Sequence, residues 1–117
     1  MYKKITSPQN PSIKNCILLT EKAKERKKQN LIVVEGLREI RLAIEAGHDI
    51  KTLFFCPEMM EQQTFESFAK KLSEKVEIIE VNVQIFEKIA YRESGGLCAI
   101  LQPKLLELSD LKLSQNP

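Results

Sequence analysis

Tryptophan is missing from this sequence of 117 residues, and histidine occurs only once, at His48 between Gly47 and Asp49, where it reads as a turn residue. Cys16, Cys56 and Cys98 are widely spaced and form no C-x-x-C pair. Neither a zinc cluster nor a Cys–His couple has its ligands, so no metal site is expected. An odd cysteine count fits reduced, mostly buried thiols better than a disulfide framework. Glycine occurs only at positions 36, 47, 95 and 96, and no P-loop, G-x-G-x-x-G, G-x-S-x-G or H-E-x-x-H is present. Catalytic residues are therefore expected to be none. No apolar run approaches the roughly 20 residues of a membrane span. The start, MYKKITSPQNP, has no apolar stretch of the kind a secretory signal needs, so a cytoplasmic protein without membrane contact is expected.

What is present is enough for one folded domain. Hydrophobic residues make up 43% and charged residues 29%, which excludes intrinsic disorder. The net charge of +2 hides an asymmetry: the first 30 residues hold eight lysines or arginines against two acids, and the rest of the chain is net acidic. A basic end on an acidic body suggests a polyanion partner; a solvated lysine-rich helix face accounts for the charge equally well.

Helical and strand patterns alternate along the chain. Asn10 followed by Pro11 predicts an N-cap with proline at the first helical position, and a helix running to about Lys28. Strands are predicted at Leu31 to Glu35, Ile50 to Cys56, Val76 to Val81 and Leu97 to Leu101. Between them lie a helix from Leu37 closed by Gly47, a helix over about Glu61 to Lys75, and a short helix capped by Asn82. The order αβαβαβαβ predicts an α/β fold, a three-layer α/β/α sandwich around a largely parallel sheet. Val33, Val34, Leu53, Phe54, Ile78, Ile79, Ala99 and Ile100 are the expected core of that sheet. The tail from Leu105 to Pro117 has no such pattern and reads as a linker, leaving 1–104 as the domain.

Three places could bind a ligand. On a single first helix, Ile13, Cys16, Ile17, Leu19, Thr20 and Ala23 would share one side, with Lys14, Lys22 and Arg26 over an arc of about 120° on the other. Part of the cluster Lys24, Arg26, Lys27, Lys28 is explained by the dipole of the helix end. Glu35-Gly36 stands where a strand meets a helix bearing Arg38 and Arg41, a common ligand position in α/β sheets. The local pattern favours a glycine that serves only the tight strand-to-helix turn, and Glu35 would repel phosphate. The loop Tyr91-Arg92-Glu93-Ser94-Gly95-Gly96 could hold a phosphate on backbone N–H groups and Arg92, or be a plain surface turn.

Taken together, ITSPQNPSIKNCILLTEKAKERKKQNLIVVEGLREIRLAIEAG resembles the start of SpoU-type (TrmH-like) RNA 2′-O-ribose methyltransferases. Ser7, Asn10, Pro11, Ile13, Lys14, Leu19, Lys22, Arg26, Glu35, Gly36 and Gly47 occupy its motif positions, and RESGGLCAIL resembles the turn into the last strand of the same domain. The resemblance implies a substrate-binding domain shaped like kink-turn-binding ribosomal proteins, with structured rRNA or tRNA as partner. It implies RNA contacts from Lys14, Lys22, Arg26, Lys27, Lys28, Arg38 and Arg92. S-adenosylmethionine would be held by a following C-terminal knotted domain, through which the parent enzyme would form a homodimer. No cofactor is expected in the present chain. Two other readings are a free-standing kink-turn RNA-binding module and a small-molecule-binding α/β domain using the strand ends near Glu35.

Overall fold

The computed structural model describes residues 3–5, 9–90 and 94–104. Its elements run β1 (Lys3–Ile5), α1 (Pro11–Glu21), α2 (Ala23–Gln29), β2 (Ile32–Glu35), α3 (Leu37–Glu45), β3 (Asp49–Phe55), α4 (Gln62–Ala69), β4 (Glu77–Val81), α5 (Val83–Ile89) and β5 (Leu97–Gln102). The five strands lie in the order β1-β4-β3-β5-β2. From β2 onward the expected alternation holds, and the three-residue β1 adds an edge strand that no apolar pattern announced. The expected linker, 105–117, lies outside the described residues.

The sheet is mixed rather than largely parallel. β4 runs parallel to both β1 and β3, whereas β5 inserts between β3 and β2 and is antiparallel to each. Strand alternation sends successive side chains to opposite faces, and two cores result. Ile13, Cys16 and Leu19 of α1 and Ile85, Phe86 and Ile89 of α5 pack on the face carrying Phe54, Ile79, Cys98 and Ile100. Ile40 of α3 and Phe65 and Phe68 of α4 pack on the other, with Leu53, Phe55, Leu97, Ala99 and Leu101. This is the three-layer sandwich that the sequence predicts.

Of the expected core, Leu53, Phe54, Ile79, Ala99 and Ile100 are buried, while Val33, Val34 and Ile78 are only half-buried. The two valines sit on β2, a terminal strand with one neighbour. All three cysteines are free and buried. A side-chain hydrogen bond with Cys16, reinforced by burial, holds the Cys98 thiol well above the ordinary thiol range, and burial pushes Cys56 up.

The caps follow the sequence. Asn10 accepts a hydrogen bond from the Ser12 backbone N–H at 2.8 Å, and Asn82 accepts one from that of Ile85 at 2.8 Å. The expected single first helix is two. At Lys22 the backbone is extended (φ −124°, ψ 110°), so α1 ends and α2 starts in a new direction. The expected helix 61–75 is also shorter, since α4 ends at Ala69.

Candidate nucleic-acid interface

The break at Lys22 redistributes the basic residues. Lys14 lies on α1, Lys22 at the joint, and Arg26, Lys27 and Lys28 in the last turn of α2. The single basic arc expected of one continuous helix is therefore replaced by two short helices meeting at an angle. Lys14, Lys22, Lys24, Lys27 and Lys28 are all exposed. Thr20 and Ala23, expected on the apolar side, are exposed as well, because Ala23 belongs to the second helix.

Arg26 is different. It is half-buried, and its Nη1 donates to the backbone carbonyls of Leu19 at 2.7 Å and Thr20 at 3.2 Å. The last carbonyls of a helix lack intrahelical donors, and a guanidinium folded back from the next helix supplies them. Asn15 and Gln29 add a second tie between α1 and α2 through paired side-chain amides, and Gln29 Nε2 also donates to Glu25 Oε1 at 3.2 Å. Sequence reasoning missed this clamp, since on the single helix it expects, residues 14 apart would stand about 21 Å apart along the axis.

Beside these helices runs β2, the open edge of the sheet. A concavity of about 240 Å³ is lined by Leu19, Thr20, Arg26, Ile32, Val33 and Glu35. A second, of about 590 Å³, is lined by Ala23, Lys24, Arg26, Lys27 and Ile32. Arg26 and Ile32 belong to both.

The other two sequence candidates meet at the carboxyl end of β2. The Gly36 N–H donates to the Leu97 carbonyl at 2.9 Å, and the Cys56 N–H to the Gly96 carbonyl at 2.9 Å, which draws the loops after β2 and β3 against the start of β5. Gly36 and Gly96 both have positive φ, 94° and 89°. A Cβ on Gly36 would stand 3.0 Å from Glu39 Oε1 and 3.8 Å from the Ser94 carbonyl oxygen. Exposed Arg38 is on α3, whose Ile40 packs on the sheet face opposite to α1, so it flanks β2 from the other side. Arg92, with Tyr91 and Glu93, lies outside the described residues.

Among the described residues no group of three or more His, Cys, Asp or Glu side chains could hold a metal ion, and no helix is long and apolar enough to cross a membrane. His48 serves the fold: its Nδ1 accepts a hydrogen bond from the Lys104 backbone N–H at 2.9 Å.

Comparison with known proteins points to one family. No curated protein matches the chain in sequence. Among solved structures, an RNA 2′-O ribose methyltransferase shares 26% identity with a TM-score of 0.73, over 90% of this chain and 39% of its own. An AdoMet-bound rRNA methyltransferase from Sinorhizobium meliloti shares 27% identity with a TM-score of 0.71, over 93% of this chain and 40% of its own. The SpoU methyltransferase AviRb from Streptomyces viridochromogenes, in complex with AdoMet, has a TM-score of 0.72 at 16% identity over 86% of this chain and 38% of its own, a likeness of fold alone. The chain thus spans about two fifths of the length of these enzymes. A family model, the MRM3-like substrate binding domain, matches residues 10–99. Since that match runs from the cap of α1 into β5 and takes in both helical layers, the chain belongs to the MRM3-like substrate-binding domain family.

Proposed function

We propose that this domain holds RNA, rRNA or tRNA, for an S-adenosylmethionine-dependent 2′-O-ribose methyltransferase of SpoU type. The observation that carries the reading is the coincidence of a substrate-binding family match with an exposed cationic rim on α1 and α2. Lys14, Lys22, Lys27 and Lys28 contact phosphate, with Arg38 and Arg92 as further contacts. Arg26 contributes chiefly by fixing α2 on α1. Residues 1–104 act as the substrate domain and 105–117 as a linker to a knotted C-terminal domain, through which the parent protein dimerises in the cytoplasm.

Two of the concavities are ill-suited to S-adenosylmethionine. The groove of about 590 Å³ offers three cations to a cationic sulfonium, and a hollow of about 490 Å³ lined by Glu58, Asn82, Val83, Gln84 and Glu87 has no aromatic or broad apolar wall for adenine. No methyl-transfer step is assigned to this chain's residues. Calorimetry of the domain with S-adenosylmethionine should show no binding heat.

Filter binding of structured RNA across a salt titration tests the RNA reading. Affinity should fall with salt by a log-log slope of about 0.7 to 0.9 per phosphate contact. Salt-independent binding, or none, would remove the reading. Methyl transfer by the parent protein should yield alkali-resistant dinucleotides, the mark of a blocked 2′-hydroxyl.

A further inference from the structure

We infer that the trough between α2 and the outer edge of β2 takes an unpaired, extended stretch of RNA rather than a duplex. The inference rests on the RNA-binding reading above and adds the conformation of RNA that this surface accepts.

Continuity is the first observation. The two concavities along β2 share Arg26 and Ile32 and so adjoin as a trough, with half-buried Ile32 and Val33 along it and exposed Lys24 and Lys27 on its rim. Arg26 is held there by the carbonyls of Leu19 and Thr20. The surface is thus pre-formed, which lowers the ordering cost of binding.

The direction of the edge groups is the second. β2 and β5 are paired Ile32 with Leu101, Val33 with Ile100 and Val34 with Ala99, and the Gly36 N–H donates to the Leu97 carbonyl. Antiparallel ladders alternate, so Val34 and Ile32 direct their backbone groups to β5, and Val33 directs its N–H and C=O to the outer edge. Among the described residues β2 is the last strand on that side. An unstacked base carries both donors and acceptors on its edge and can meet such a pair of groups.

Shape and charge decide the occupant. A-form duplex presents stacked bases inside a convex cylinder, so it can meet the rim lysines but places no base or ribose against Ile32 and Val33. An unpaired strand does both: phosphates on Lys24 and Lys27, apolar faces on the wall. A peptide strand added to β2 would use the same edge, but lysines beside an open edge discourage strand addition, whereas they complement a polyanion.

Fluorescence anisotropy of the whole chain with a labelled single-stranded RNA octamer and with a blunt duplex of the same sequence tests this. Ala23→Glu is the main variant: Ala23 is exposed, it lines the trough, and an acid suits the first turn of α2. The wild type should bind the single strand more tightly than the duplex, and Ala23→Glu should weaken the single strand about tenfold and the duplex, which meets only the rim lysines, by a clearly smaller factor. A 4-thiouridine octamer should crosslink within residues 20–33. Equal binding of both RNAs, or equal weakening of both by Ala23→Glu, or an unchanged octamer affinity, would overturn the trough while leaving RNA binding in place. Failure of the wild type to bind either RNA would remove the RNA-binding reading itself. A dimer in solution that Ala23→Glu dissolves would show a second copy of the chain on this edge and likewise overturn the inference.

Discussion

Asn15 and Gln29 exchange side-chain amide hydrogen bonds in both directions: Asn15 Nδ2 donates to Gln29 Oε1 at 3.1 Å, and Gln29 Nε2 donates to Asn15 Oδ1 at 2.9 Å. This reciprocal pair spans the extended joint at Lys22 and fixes how α2 lies against α1. Asn15→Ala should lower stability by about 1 to 2 kcal/mol, as two net hydrogen bonds are lost at a half-buried site. Urea unfolding of the variant beside wild type measures this; an unchanged midpoint would show that the pair does not hold the joint.

Arg26 and the lysines should separate into different roles. Arg26→Ala removes donors from the Leu19 and Thr20 carbonyls and should cost about 1.5 to 3 kcal/mol. Lys14→Ala, Lys22→Ala, Lys27→Ala and Lys28→Ala, at exposed positions, should each stay within about 0.5 kcal/mol. Combined, the four lysine changes should flatten the salt dependence of RNA affinity by about 0.7 per lost contact. Thermal melts and salt titrations on the same preparations distinguish scaffold from contact.

The adjacent glycines 95 and 96 should respond unequally to alanine. Both have positive φ, 72° and 89°. At Gly95 a Cβ meets nothing within 4 Å, so Gly95→Ala should cost only the backbone penalty of about 1 to 2 kcal/mol. At Gly96 it would lie 2.9 Å from the Met59 Cβ and 3.1 Å from the Cys56 carbonyl oxygen, so Gly96→Ala should destabilise clearly more. Equal melting temperatures for the two variants would contradict the packing described at this corner.

Ile79 has no exposed surface and lies in the core beneath α1 and α5. Ile79→Ala should cost about 2 to 5 kcal/mol through lost burial and a residual cavity. Chemical unfolding would give the figure, and a loss below about 1 kcal/mol would mean that the site collapses freely.

Alkaline pH should weaken the fold through Cys98. Its hydrogen bond to Cys16 and its burial raise the folded-state value above that of the unfolded chain. The native state therefore keeps a proton that the unfolded state releases above about pH 8.5, and stability falls as pH rises past that point. Below it the contribution is complete. Cys98→Ala should show a shallower decline in melting temperature between neutral and alkaline buffer, and an identical decline would assign the effect to other groups.

The caps at Asn10 and Asn82 and the apolar spacings of α3, α5, β3, β4 and β5 were legible because each is written in neighbouring residues. Strand order was not, because the place of β5 between β3 and β2 depends on pairings with residues far earlier in the chain. The break at Lys22 was hidden for a similar reason. Thr20, Glu21, Lys22 and Ala23 include no glycine or proline, and the extended joint is accompanied by Arg26 reaching back to α1. Charge asymmetry marked α1 and α2 as the basic helices and missed that Arg26, unlike its lysine neighbours, is spent on the backbone of α1.

Because β5 is the only strand that pairs with β2 among the described residues, the order of synthesis governs when this sheet can form. While the ribosome is still making residues before Leu97, β2 has no strand to pair with, and β2 and β3 lack the strand that joins them. The basic helices are made well before the sheet that will anchor them is complete. The sheet cannot be completed until β5, which starts 62 residues after β2 ends (97 − 35), has been made, and a long loop must close before its contacts can stabilise it.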